Sequence, residues 1–213
     1  MKFKNLFENR SEIIDGHFEI SDVPFYSQRL TKENYQKEGF NNWDEAEYWS
    51  ERICGLACLK MVLLKNYPDQ DFKLKELLDR GLALGAYDEE HGWKHQGLVD
   101  LGNSLGLDGF RESVGANVKR IATHIQNQRM VIASVTVGFE AGKKYEELDG
   151  STDVMPRGGH LVLIFGTDVS NGRIDDFILH HPSSEGSYEH SNWKISGEDF
   201  SNSFSEKGNV IIF

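Results

Sequence analysis

Cys54-Gly55-Leu56-Ala57-Cys58-Leu59-Lys60-Met61-Val62-Leu63-Leu64-Lys65 is the stretch on which the reading of this chain turns. Apolar side chains fill almost every position, and Lys60 is the interior exception. A helix that is apolar on most sides is one buried inside a fold. The run predicts such a helix over 53–65, with Ser50 as its N-cap and Asn66-Tyr67-Pro68 as its stop. Cys54 then lies in the first turn, where unpaired backbone N–H groups and the helix dipole favour negative charge. A thiol so placed can ionise well below its free value of about 8.5. Gly55 would let a substrate carbonyl approach the backbone closely. Two readings of Cys54 stay open: an activated nucleophile, or a core thiol, the usual fate of a free cysteine. Cys58, one turn deeper, reads as core filler.

Outward from this helix, the periodicity predicts amphipathic helices over 72–84, 95–105 and 118–127. The period then shortens. Residues 131–137, 161–165, 174–180 and 210–213 read as buried strands, and 17–20 as a short one. Helices come first and strands later, which predicts an α+β fold rather than alternating α/β. Residues 1–21 read as a polar lead-in and 22–213 as one domain. Within it, 29–48 reads as an insertion loop carrying a short helix, and 138–159 as a long loop.

The composition narrows the function classes. A chain of 213 residues can bury about 70% of its unfolded surface, so it needs no disulfide staple. Its two cysteines sit four apart on one helix, which excludes a disulfide framework and a four-thiolate zinc site. The net charge is −11, with 23 basic against 34 acidic residues. No cluster of five or more Lys/Arg occurs, so nucleic acid and anionic membrane are poor partners. No apolar run is long enough to span a bilayer, and the N-terminus lacks the apolar middle of a secretory signal. The expectation is a soluble, cytoplasmic protein.

His160 opens the apolar run Leu161-Val162-Leu163-Ile164-Phe165, and Gly158-Gly159 before it leave room for a ligand. Asn171-Gly172 is a strong hairpin-turn signal. A turn centred there pairs residues whose numbers sum to 343. His160 would then oppose Ser183 and share a face with His181, their Cβ atoms within roughly 7–8 Å, while His180 would face the other way. A one-residue slip would reverse the choice. His181 is thus the residue expected to orient the His160 ring. Gln28 offers an amide donor for an oxyanion, and Trp49 is close enough in sequence to line a cleft at Cys54.

These residues occur in a suggestive order: Val-Pro-Phe-Tyr-Ser-Gln at 23–28, Trp49 and Cys54-Gly55, Gly159-His160 with its apolar run, then His181-Pro182-Ser183-Ser184. Over about 22–213 the chain resembles the papain-like peptidases of the bacteriocin-processing, double-glycine (C39) family and their stand-alone relatives. The resemblance implies a papain-like fold with the cysteine helix packed on an antiparallel sheet. It implies Cys54 as nucleophile, His160 as base and Gln28 at the oxyanion hole, acting on a peptide or protein. The chain departs from the family pattern where an Asp or Asn should precede the proline, since that residue is His181. A neutral imidazole can still accept a bond from the other ring, and Cys-His-His sites are known among cell-wall peptidases of the same broad fold.

The expectation is therefore a cysteine hydrolase cleaving an amide, most often a peptide bond, without cofactor or metal. Two rivals are a catalytically inactive peptide-binding module and an acyl transferase or transpeptidase. Gly159 and Gly55 are expected in the substrate cleft with Trp49. His91 and His95 have zinc-like spacing but Gly92 lies between them and no third ligand is evident. The Gly138–Lys144 stretch is one residue short of a phosphate loop, and Asp149, Ser151 and Asp153 lack the glycine and terminal glutamate of a calcium loop.

Overall fold

The computed structural model describes residues 13–146 and 152–213. The N-terminal residues read above for a secretory signal lie outside them, as do Asp149 and Ser151. In chain order the elements are β1 (Gly16–Glu19), α1 (Trp43–Ser50), α2 (Cys54–Asn66), α3 (Leu74–Ala83), β2 (Tyr87–Asp88), β3 (Gly92–Trp93), α4 (His95–Ser104) and β4 (Phe110–Ser113). There follow α5 (Lys119–Gln126), β5 (Val131–Val135), β6 (Lys144–Glu146), β7 (Thr152–Val154), β8 (His160–Ser170), β9 (Arg173–His181), β10 (His190–Ser196), α6 (Gly197–Ser203) and β11 (Asn209–Ile212).

Seven strands make one antiparallel sheet in the order β10-β9-β8-β5-β11-β4, with β1 also on β8. One edge of β8 is shared: its first half, His160 to Ile164, pairs with β5, and Gly166 to Val169 pair with β1. The alternation of β8 separates two cores. Leu161, Leu163 and Phe165 pack with α2, α3 and α4. Val162 and Ile164 pack with α5, α6 and the inner residues of β9. The α+β expectation is met, and the helix-forming sequences lie within two residues of where their periodicity puts them.

Three expectations change. Ser50 is the last residue of α1, not the cap of the cysteine helix, and its hydroxyl accepts the Leu30 N–H at 2.9 Å. The 29–48 segment is anchored: its Glu38 carboxylate takes the buried Lys60 ammonium at 2.7 and 2.8 Å and the Leu74 N–H at 3.0 Å. The 138–159 segment is not all loop, because β6 and β7 pair within it. Strands β4 and β10 and helix α6 were not foreseen.

Candidate active site

Helix α2 begins at Cys54, and its N-cap, Ile53, supplies no side-chain acceptor. The backbone N–H groups of the first turn therefore keep their capacity to hold negative charge. The first turn packs on the start of β8. A Cβ at Gly55 would meet Leu98 Cδ1 at 2.8 Å and Leu161 Cδ1 at 2.9 Å. Gly55 thus lets α2 approach α4 and β8 closely, where a methyl would press on the two leucine side-chain ends. It is buried, so the expected place in a substrate cleft gives way to a packing role.

Both sulfurs converge on Leu161, the residue after His160. The Cys58 thiol donates to the Leu161 carbonyl at 3.5 Å and is fully buried, as core filler should be. Burial pushes the Cys54 thiol up, and the N–H groups of Leu161, Gly55 and Cys54 pull it partly back. Cys58 is pushed up further, by burial first and then by its neighbour Cys54.

His160, Gly158 and Gly159 line a cleft of about 290 Å³ together with Gln28, Glu51, Thr136, Val137, Met155, Pro156 and Ser183-Ser184-Glu185. Gly159 has φ +100° and open space beside it, whereas a Cβ at Gly158 would meet Ser205 Cβ at 3.0 Å. Its N–H donates to Ser134 Oγ at 3.0 Å. Gln28 is 2% exposed. Its side-chain amide donates to the Ser50 carbonyl at 2.8 Å, and its backbone N–H donates to the Pro182 carbonyl at 2.9 Å. The Ser50 carbonyl fixes which end of the amide is nitrogen, because the reversed amide would set oxygen against oxygen. One N–H of that NH₂ remains for a ligand.

The His160 and His181 rings meet as the turn-centred pairing requires. Leu163 opposes His180 and Ile164 opposes Leu179, the pairing sum of 343. Their ring centroids are 4.4 Å apart with planes 17° from parallel. His181 is fully buried, and its Nε2–H donates to the Val137 carbonyl at 2.6 Å. This corrects the expected manner of orientation: the rings stack, and no hydrogen bond joins them. His160 Nε2 and His181 Nδ1 are both buried without a partner. Burial and the neighbouring His181 push His160 down to about 3. Burial, offset by the Val137 carbonyl, pushes His181 down to about 4. His180 faces the other way, with its Nε2–H on the Val23 carbonyl at 3.0 Å.

Trp49 is not among the residues lining this cleft. It stacks edge-on against Tyr48 and Tyr87, and Tyr87 continues to Trp93, whose indole donates to the Arg52 carbonyl at 2.7 Å. This aromatic cluster buttresses the loop between α1 and α2. His91 lies in the β2–β3 turn, bonded to Asp88, and not on the helix that His95 begins. The cleft residues that sequence reasoning missed are Glu51, Thr136, Val137, Met155, Pro156 and Glu185. The Val137 carbonyl that anchors His181 follows β5 directly and carries no side-chain signature.

No known family profile matches the chain, and neither does any curated protein. Solved structures do. A candidate C39-like peptidase from Bacillus anthracis superposes with TM-score 0.57 at 15% identity, over 93% of this chain and 97% of that one. Digestive procathepsin L 3 from the Tenebrio molitor larval midgut superposes with TM-score 0.51 at 12% identity, over 96% of this chain and 71% of that one. The peptidase domain of Streptococcus ComA aligns less closely, with TM-score 0.46 at 17% identity, over 75% and 89%. The chain has a papain-like α+β fold, the fold it shares with the C39-like structure and with cathepsin L.

Proposed function

We propose that this protein is a cysteine hydrolase of amide bonds, with peptide as the substrate class. The observation that supports the reading is the packing of the uncapped α2 N-terminus on Leu161, the residue after His160; His160 and Gln28 line the cleft, and Cys54 is not among the residues that line it. The papain-like fold is consistent with it. Cys54 is the nucleophile. His160 takes the thiol proton through Nδ1, the ring nitrogen other than the buried, unpartnered Nε2. The Cys54 N–H and the free amide N–H of Gln28 hold the oxyanion. His160 then protonates the leaving amine, and water resolves the thioester.

The test is cleavage of a mixed synthetic peptide library, read by mass spectrometry, for the native protein and for Cys54→Ala and His160→Ala. The expected result is cleavage that disappears in both variants while their melting temperatures hold. Cleavage that survives in Cys54→Ala overturns the reading. A second reading, peptide binding without turnover, is favoured by the His181 ring standing behind His160, which compensates an imidazolium less than a carboxylate would. Peptide retained uncut by the native protein would select it. Release of the acyl group to an added amine instead of water would select acyl transfer.

A further inference from the structure

The two unpartnered ring nitrogens behind the cleft form a chemically matched pair. His181 Nε2 donates to a carbonyl, so in the neutral ring Nδ1 carries a lone pair. His160 Nε2, buried beside it, has no acceptor. A hydrogen bond between imidazoles runs in the ring planes. With planes 17° apart and centroids at 4.4 Å, neither nitrogen points at the other. The two rings touch through their faces.

We propose that His181 is a positioning residue that holds His160 by its ring face, in the place where an acceptor would otherwise orient the base. The proposal deepens the hydrolase reading and rests on it for the role of His160. Three observations support it. His181 is immobilised by the 2.6 Å bond to Val137 and by its backbone in β9. Trp193 and Phe139 back the same ring at 5.6 and 6.2 Å. The β8–β9 pairing brings the two histidines to one face. The stack supplies geometry and withholds charge compensation, because an imidazolium at His160 gains no acceptor from it. The base then suits a concerted proton transfer better than a standing ion pair. The charged or titratable neighbours are His190 of β10, which acts on His181, and Glu51 and Glu185, which share the cleft with His160.

The test compares His181→Phe, His181→Asn and His181→Ala with the native protein. The readouts are the NMR titration of the His160 ring and the pH profile of Cys54 alkylation by iodoacetamide. His181→Phe keeps a stacking face, so His160 should keep its ring-current shift and Cys54 its alkylation profile within about threefold. His181→Asn gives Nε2–H an acceptor, so the His160 titration should move up by about one pH unit or more. His181→Ala should lose the ring-current shift and slow alkylation about tenfold. His181→Phe behaving like His181→Ala overturns the proposal. Should the variants fail to fold, a nitrogen-15 spectrum of the native protein decides: a hydrogen-bonded His160 Nε2 proton overturns it, and a free one supports it. If the stack is intact and no peptide is cut, the hydrolase reading fails and the ring geometry stands.

Discussion

Lys60 is the buried charged residue of α2, 2% exposed, whereas Lys65 lies in the last turn. A buried cation is tolerated only when it is paired and hydrogen-bonded. Here both Glu38 oxygens reach it, at 2.7 and 2.8 Å, and the Tyr26 ring lies 4.1 Å away. Glu38 also receives the Leu74 N–H, so one carboxylate serves a helix interior and the uncapped start of α3. Glu38→Gln leaves the ammonium uncompensated and should cost about 3–5 kcal/mol in urea unfolding. The double change Glu38→Leu with Lys60→Met removes both charges and should recover most of that loss. If Glu38→Gln alone unfolds at the native midpoint, Lys60 is not held as described. The sequence showed Lys60 as an exception. It could not show the partner, which is 22 residues upstream in a polar segment with no period.

At the scale of elements, α2 owes its place to Gly55. Alanine is the better helix former by roughly 1 kcal/mol, yet its methyl would press on Leu98 and Leu161 at under 3 Å. Gly55→Ala should therefore destabilise by about 1–3 kcal/mol, measured by urea unfolding, by forcing α2 from β8. A stabilised Gly55→Ala protein would show that this contact yields freely. The β8–β9 hairpin explains both what the sequence disclosed and what it hid. Turn chemistry at Asn171-Gly172 set the pairing, and the same sum holds at His180. Between them the register shifts twice, with Asp175 extra on β9 and Phe165 extra on β8, and the shifts cancel. A single bulge would have put His180 on the face where His181 lies. Buried elements with a clear period were legible: α2, β5, β8 and β9. Strands β4 and β10 were not, because they are largely exposed and do not alternate. Nor was α6, whose short polar sequence is held by its Ser196 cap.

At the scale of the whole molecule, the sheet separates two cores and the candidate site sits where they meet, at the start of β8. Burial of its imidazoles should make the fold acid-sensitive. Of eight histidines, five are pushed down chiefly by burial: His95, His124, His160, His180 and His181. In the unfolded chain each takes a proton near pH 6.5. In the folded chain His181 waits until about 4 and His160 until about 3. Between those limits the unfolded state holds more protons, so stability rises with pH and is lost as pH falls from about 6.5 toward 4. Going from pH 7 to about pH 5 should cost about 2 kcal/mol for each of these two rings. His17 works in the opposite sense: its bond to Asp168 raises it, so its contribution is lost as pH rises. It is exposed, and solvent keeps that contribution small. Urea midpoints at the two pH values should therefore fall steeply on acidification in the native protein. They should fall less in His181→Phe, which has one fewer ring to protonate. Equal slopes in the two proteins would mean that His181 is as accessible to protons folded as unfolded, which the stacked, fully buried ring does not allow.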